Sequence, residues 1–273
     1  MSTPLKPYLL GHSDRERRRL ELQGKILLRP TEQLLRDAGI CGGLRVLDIG
    51  CGVGDVTEIV SKLVGPGGHV TGVDFDAGGL EVARSRTKED ARGRVDYVEA
   101  DLATYETAER FDAVVGRLIL LHTPDPLALI RRVLTFLRPG GVLVFQEYDL
   151  SFRVPGYPSA PLAERVMDCF VQLQMRVKNP GMRLLNWFVE AGLPSPECRA
   201  CLMMEGGPDS LYYEWRAETL RSALPRLEEQ GIARPGEFNL DTLASELREE
   251  AIASHAPLVA MPLIGAFSRK HAE

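Results

Sequence analysis

The segment Val46-Leu47-Asp48-Ile49-Gly50-Cys51-Gly52-Val53-Gly54-Asp55 constrains the fold more than any other part of the chain. An apolar run contains an acid, three glycines alternate with other residues, and an amphipathic stretch begins. That order predicts a strand, a tight turn and a helix. Glycines at 50, 52 and 54 let the backbone turn sharply and let a ligand come close, and the free N–H groups of the new helix favour an anionic group. The next apolar run, His69-Val70-Thr71-Gly72-Val73, ends at Asp74. Doubly wound folds place a ribose-binding carboxylate there, about 20 residues beyond the glycine turn. A nucleotide-like ligand is therefore expected.

Dinucleotide dehydrogenases share this layout, but their fingerprint carries Gly or Ala where this chain has Asp55. An acid at that point sets negative charge beside a pyrophosphate. The pattern Asp48-x-Gly50-x-Gly52-x-Gly54 resembles instead motif I of the class I S-adenosylmethionine (SAM)-dependent methyltransferases. Phe111 to Val115, Pro124-Asp125-Pro126 and Leu137-Arg138-Pro139-Gly140-Gly141 resemble the later motifs of that family in order and spacing. The resemblance covers roughly residues 40–150 and is weaker beyond. It implies an α/β fold with a Rossmann-like, doubly wound, seven-stranded and mostly parallel sheet, an antiparallel last strand between strands five and six, and a helical cap. It also implies SAM as cofactor, S-adenosylhomocysteine as product, and methyl transfer to a small-molecule acceptor, aromatic or otherwise natural-product-like. Two rivals stay open: a pericyclase or cyclase on the same fold that keeps SAM as a structural ligand, and an NAD-dependent oxidoreductase.

Carried over residue by residue, the resemblance implies that Asp48 favours the SAM ammonium, directly or through water. The backbone around Gly50, Cys51 and Gly52 runs beside the methionine and ribose portions. Asp74 accepts both ribose hydroxyls, Phe75 lies against the adenine, Asp101 takes the adenine amino group, Leu102 lines the ring, and the carbonyl of Arg117 meets the ammonium. Tyr8-Leu9-Leu10-Gly11-His12-Ser13 resembles an N-terminal signature of some small-molecule methyltransferases, which implies that Tyr8 and Gln23 close over the methionine end. A core tyrosine and a helix-packing glutamine are the plainer alternatives. Candidate general bases are His12, His122, Glu147 and Tyr148. His122 suits a structural role as well, and Glu147 and Tyr148 are expected to face the pocket as substrate-shaping groups.

From residue 44 to about 149, short apolar runs alternate with helical stretches, as in a parallel sheet flanked by helices. Helices are expected near 55–64, near 78–88, and after Asp125, an N-cap followed by proline at the first helical position. The strand ends bring Asp74, Asp101, Arg117 and Glu147 to the edge where open α/β sheets bind ligands. Ser13-Asp14-Arg15-Glu16 has the spacing of a capping box, and the helix it starts puts Leu20, Gln23 and Leu27 on one face. Three regions follow: an N-terminal helical lid over 1–40, a core over 41–150, and the rest of the core over 151–273. The last region holds a sixth strand within 198–205 and a seventh over 258–261 and 263–267, with helical cap insertions near 151–180 and 207–253. Phe170, Met175, Trp187, Met204 and Trp215 are candidates for pocket lining or simple core.

A net charge of -5 leaves no electrostatic footprint for nucleic acid. The densest basic stretch, Arg15-Glu16-Arg17-Arg18-Arg19, reads as a solvated helix face. No apolar run approaches the roughly 18 residues that span a bilayer, and no basic segment with an apolar core opens the chain. Neither a membrane nor nucleic acid is an expected partner, and a cytoplasmic, soluble protein is the expectation, with a homodimer left open. The five cysteines are scattered, unlike a disulfide framework. Cys198-x-x-Cys201 lacks a second pair or a histidine cluster, so no metal is expected and buried packing in a late strand is the reading of this pair.

Overall fold

The computed structural model describes residues 14–87, 92–151, 153–173, 177 and 179–272. After the first helix, α1 (Asp14–Asp37), β1 (Arg45–Ile49) runs into the glycine turn and α2 (Asp55–Val64) leaves it. Then come β2 (His69–Asp74), α3 (Ala77–Arg86), β3 (Arg94–Glu99), β4 (Phe111–Arg117), a short 3-10 turn at Leu120–His122, α4 (Pro126–Leu134) and β5 (Leu137–Tyr148). The second half supplies α5 (Pro161–Gln172), α6 (Pro180–Glu190), β6 (Glu197–Cys201), β7 (Met204–Glu205), α7 (Tyr212–Glu229), α8 (Leu243–Ser254), β8 (Leu258–Val259) and β9 (Leu263–Arg269).

Seven strands form one sheet in the order β3-β2-β1-β4-β5-β9-β6. All neighbours pair in parallel except β9, which is antiparallel to both β5 and β6. This is the doubly wound, mostly parallel sheet expected, with its reversed strand between the fifth and sixth. The period of two along each strand sorts the side chains into layers. Leu47, Ile49, Val114 and Phe145 pack on one face against α4 and α6, while Val46, Val115 and Val144 pack on the other against α1 and α2. A third cluster joins Leu22 and Leu27 of α1 to α5, α7, α8 and Tyr148 at the end of β5.

Three expectations for the late strands change. The sixth strand stops at Cys201, and Met204–Glu205 leaves the sheet to pair with Leu258–Val259 as a separate two-stranded ribbon. Pro262 divides the expected seventh strand: it has no N–H for a ladder, and its carbonyl instead accepts the Asp149 N–H at 2.8 Å. Only Leu263–Arg269 enters the large sheet. Cys198 is exposed and Cys201 half-buried, both free, on the edge strand β6. Three residues apart on a strand, they point to opposite faces, which corrects the expected buried packing and leaves the pair unable to act together. Among the described residues no group of His, Cys, Asp or Glu could hold a metal, and no helix is long and apolar enough to cross a membrane.

The sheet's support from α6 has a measurable consequence. Phe145 and Phe188 are fully buried and meet edge to face at 6.2 Å. Phe145→Ala should lower unfolding free energy by about 3–5 kcal/mol in chemical denaturation, through lost burial and the cavity left behind.

Candidate active site

The carboxyl ends of β1, β2, β4 and β5 open into one cavity of about 880 Å³. The glycine turn forms its floor. Gly50, Gly52 and Gly54 all have positive φ, at 65°, 52° and 84°. The reasons differ. A side chain at Gly50 would strike Ile119, one at Gly54 would strike Tyr97, and one at Gly52 would meet nothing within 4 Å. Gly52 therefore has a bare, left-handed backbone with open space before it, and Gly50, Cys51 and Gly52 line the cavity.

Asp74 ends β2 at the cavity wall. One carboxylate oxygen accepts the Gly52 N–H at 2.8 Å and the other accepts the Asp76 N–H at 2.9 Å. Burial raises its pKa, and the backbone N–H groups of Asp76, Gly52 and Phe75 oppose that rise. Phe75 stands 51% exposed on the same wall, with Leu102 and Asp101 beyond it. Asp101 accepts its own loop's Ala103 N–H at 2.8 Å.

Asp48 takes a different place from the one expected. It is buried under the turn, away from the cavity lining, and accepts the Thr57 hydroxyl at 2.6 Å. Desolvation pushes its pKa up to about 7, against the pull of Thr57 and Arg117. The acid that reaches the cavity here is Asp55, whose carboxylate meets Arg86 at 2.7 Å and Arg117 at 3.9 Å. Arg117 itself lines the cavity, and its buried guanidinium donates to Thr31 at 3.1 Å.

Glu147 is corrected too. It is fully buried and absent from the cavity lining, because the strand pleat turns it away from the face shared by Gln146 and Tyr148. Gln146 accepts the Thr31 hydroxyl on the α1 side, and Tyr148 lines the cavity. Glu147 instead accepts the Ile119 and Leu120 N–H groups at 2.9 and 2.8 Å. His122, at the end of the 3-10 turn, does line the cavity, whereas His12 and Tyr8 lie outside the described residues.

The roof comes from the cap. Gln23 is buried and lines the cavity, and its amide oxygen accepts from Arg19 at 3.0 Å. Arg19 is itself buried against Glu16, with the closest contact 2.7 Å. The basic stretch is thus a solvated face only in part: Glu16 and Arg19 are buried, while the exposed Arg15 and Arg18 reach Glu218 and Glu214 of α7. Phe170 and Trp215 line the cavity, Trp187 packs under the sheet with α6, and Met204 is exposed. Met175 lies outside the described residues.

Sequence reasoning missed Leu118. It has φ 56°, a left-handed backbone that costs a branched residue about 1–3 kcal/mol, and it lines the cavity directly after Arg117. A leucine carries no mark of such a turn. It also missed Gly24, where a side chain would strike the Asp55 carboxylate. A lone glycine inside a helical pattern was the available signal, and it marks where α1 crosses the start of α2.

A doubly wound α/β sheet with a glycine turn and strand-end acids around a large cavity defines the class of fold that binds nucleotide-type ligands beyond the carboxyl ends of its strands. The family model described as a methyltransferase domain matches residues 40–190, more than half of the chain, and the chain belongs to that family. A demethylmenaquinone methyltransferase from Lactococcus lactis is 27% identical over 170 residues, or 60% of this chain and 65% of the relative. The chain spans less than two thirds of the length of the curated relatives it matches. Among solved structures, Haemonchus contortus phosphoethanolamine N-methyltransferase 2, complexed with S-adenosylhomocysteine and phosphomonomethylethanolamine, matches 89% of this chain and 52% of its own, with TM-score 0.55 and 23% identity. The [4+2]-cyclase SpnF matches 90% of this chain and 81% of its own, with TM-score 0.52 and 21% identity. At these identities the structures bear on the fold alone.

The buried position of Asp48 sets a pH dependence. Folded, this carboxyl holds its proton to about pH 7; unfolded, it loses it near the ordinary value of 3.8. Between those values the folded state binds more protons, so the contribution of Asp48 to stability falls as pH rises through the window. Asp48→Asn should flatten the dependence of the denaturation midpoint on pH between about 4 and 7 relative to the parent chain.

Proposed function

We propose that this chain transfers the methyl group of SAM to a small organic acceptor held under the helical cap. The observation that carries the reading is the Asp74 carboxylate, fixed by the Gly52 and Asp76 N–H groups at the wall of a cavity whose floor is bare glycine backbone. Two backbone bonds orient the carboxylate and leave lone pairs toward the cavity, which suits a pair of vicinal ribose hydroxyls. The open space before Gly52 is the cradle a side chain would fill. Phe75 and Leu102 offer apolar walls to the adenine, and Asp101 keeps one carboxylate oxygen for its amino group. The carbonyl of Arg117 and the buried Gln23 attend the methionine end. An acid at Asp55, in the first turn of α2 and at the cavity edge, disfavours the pyrophosphate of a dinucleotide.

When bound, SAM supplies a methyl group on a positively charged sulfur, so the leaving group is ready-made. The task of the chain is then to hold an acceptor in line with that bond and to exclude water, and orientation of this kind is worth about 7–11 kcal/mol in favourable cases. Leu118, Phe170 and Trp215 give the second part of the cavity an apolar wall. His122 is the titratable side chain of the 3-10 turn that reaches the cavity, and it is the residue to act as base for an acceptor that must lose a proton. The named activity of the Lactococcus relative supports a small molecule over a macromolecule as acceptor. The helices α1, α5, α7 and α8, which pack together over the end of β5, form the lid that selects it.

Asp74→Asn should leave the circular dichroism spectrum intact and weaken S-adenosylhomocysteine binding at least about tenfold, the scale of losing charge-assisted hydrogen bonds. Unchanged affinity in calorimetry would count against the assignment of this carboxylate.

A further inference from the structure

Glu147 is the most conspicuous group that the proposed reaction does not use. It is a fully buried carboxylate without a side-chain partner among the described residues, and its Oε2 accepts no hydrogen bond. Its Oε1 takes two, from the consecutive backbone N–H groups of Ile119 and Leu120. Those two residues sit inside the turn that carries Leu118, Ile119, Leu121 and His122 to the cavity wall. The turn is strained at Leu118 and leans on the glycine floor, since Ile119 fills the space before Gly50. One carboxylate oxygen thus holds a strained segment that touches both the glycine floor and the cavity.

We propose that Glu147 is a positioning residue: it clamps the Leu118–His122 turn against the cofactor half of the cavity, and taking up a proton loosens the clamp. The inference rests on the reading of that half as the SAM site. A carboxylate is the stronger acceptor when ionised, and charge-assisted bonds to backbone N–H groups are roughly twice as strong as neutral ones. Filling the cofactor site orders the turn, so it favours the ionised form and releases a proton. Burial raises the pKa of Glu147 to about 8, against the backbone donors of Leu120, Ile119 and Leu121, which places the change within reach of ordinary buffers.

Among the described residues, the neighbouring elements bring no charge to it. Its register partner on β9 is Ile264, and the α4 and α6 residues buried on this side of the sheet are apolar. Along the chain, Tyr148 turns to the opposite face toward the cavity, Asp149 is occupied by Ser151 and the Met182 N–H, and His122 stands at the far end of the clamped turn. Arg117, across from Gln146 on β4, donates toward Thr31 on α1.

The test is calorimetric titration of S-adenosylhomocysteine into the intact protein at pH 6.5, 7.5 and 8.5, in buffers of differing ionisation enthalpy, for the parent chain, Glu147→Gln and Glu147→Ala. The parent should bind about three- to tenfold tighter at pH 8.5 than at 6.5, a pKa change of up to about one unit on binding, with proton release near pH 7.5. Glu147→Gln keeps an acceptor for both N–H groups but cannot ionise. It should match the parent at pH 6.5, fall behind at 8.5, and lose the proton release. Glu147→Ala should bind more weakly throughout. If it does not fold, Glu147→Gln decides alone. A parent with no pH dependence in this range, a Gln variant that keeps the parent's proton release, or an Ala variant that binds like the parent overturns the proposal. An absence of binding by the parent at every pH overturns the SAM reading instead.

Discussion

The site depends on a single carboxylate shared between two backbone N–H groups. Asp74 closes β2 and draws the Gly52 N–H onto one oxygen and the Asp76 N–H onto the other. The first bond ties the glycine turn to the neighbouring strand. The second fixes the entry to α3, so strand end, turn and helix start become one rigid corner. Removing an acid from water is costly, and here the cost is offset by donors the backbone must satisfy anyway. The corner can exist only because residue 52 has no side chain and a left-handed backbone. Sequence, local conformation and the cavity wall meet in that contact.

A second constraint lies above it. The first turns of α1 are joined to α7, some 200 residues away in sequence, by Arg15 to Glu218, Arg18 to Glu214 and Ser222 to Glu16. Exposed pairs of this kind contribute little singly. The firmer attachment is apolar, through Leu22 and Leu27 against α5, α7 and α8, together with the buried Glu16, Arg19 and Gln23 that face the cavity. Acceptor selection would then be a property of helices drawn from both ends of the chain, while the donor half belongs to the contiguous sheet.

The donor half was the legible part. The glycine turn, the Asp74 strand end and the N-cap at Asp125 carry local signals, and each falls where those signals direct it, while the reversed β9 was implied by the family resemblance alone. What misled was parity and depth. Gln146, Glu147 and Tyr148 are successive residues of one strand, so the middle one must face away from the other two. Counting by two would have taken Glu147 off the cavity. The same count separates Cys198 from Cys201. Asp48 shows the limit of motif reading: its spacing is right, but whether a strand-end acid reaches the ligand or sits beneath the turn depends on Thr57, which lies on the next helix. Arg19 looked solvated because a run of charges hides which member turns inward, and only the packing of α1 on α7 reveals it. Leu118 gave no signal, since nothing in a leucine foretells a left-handed backbone.

Titration of the intact protein with S-adenosylhomocysteine, with NADH as the comparison, tests the central claim most directly. The account predicts saturable one-to-one binding of the adenosyl compound and no heat from the dinucleotide. Well-folded protein that gives no heat with S-adenosylhomocysteine, or that prefers NADH, would contradict it.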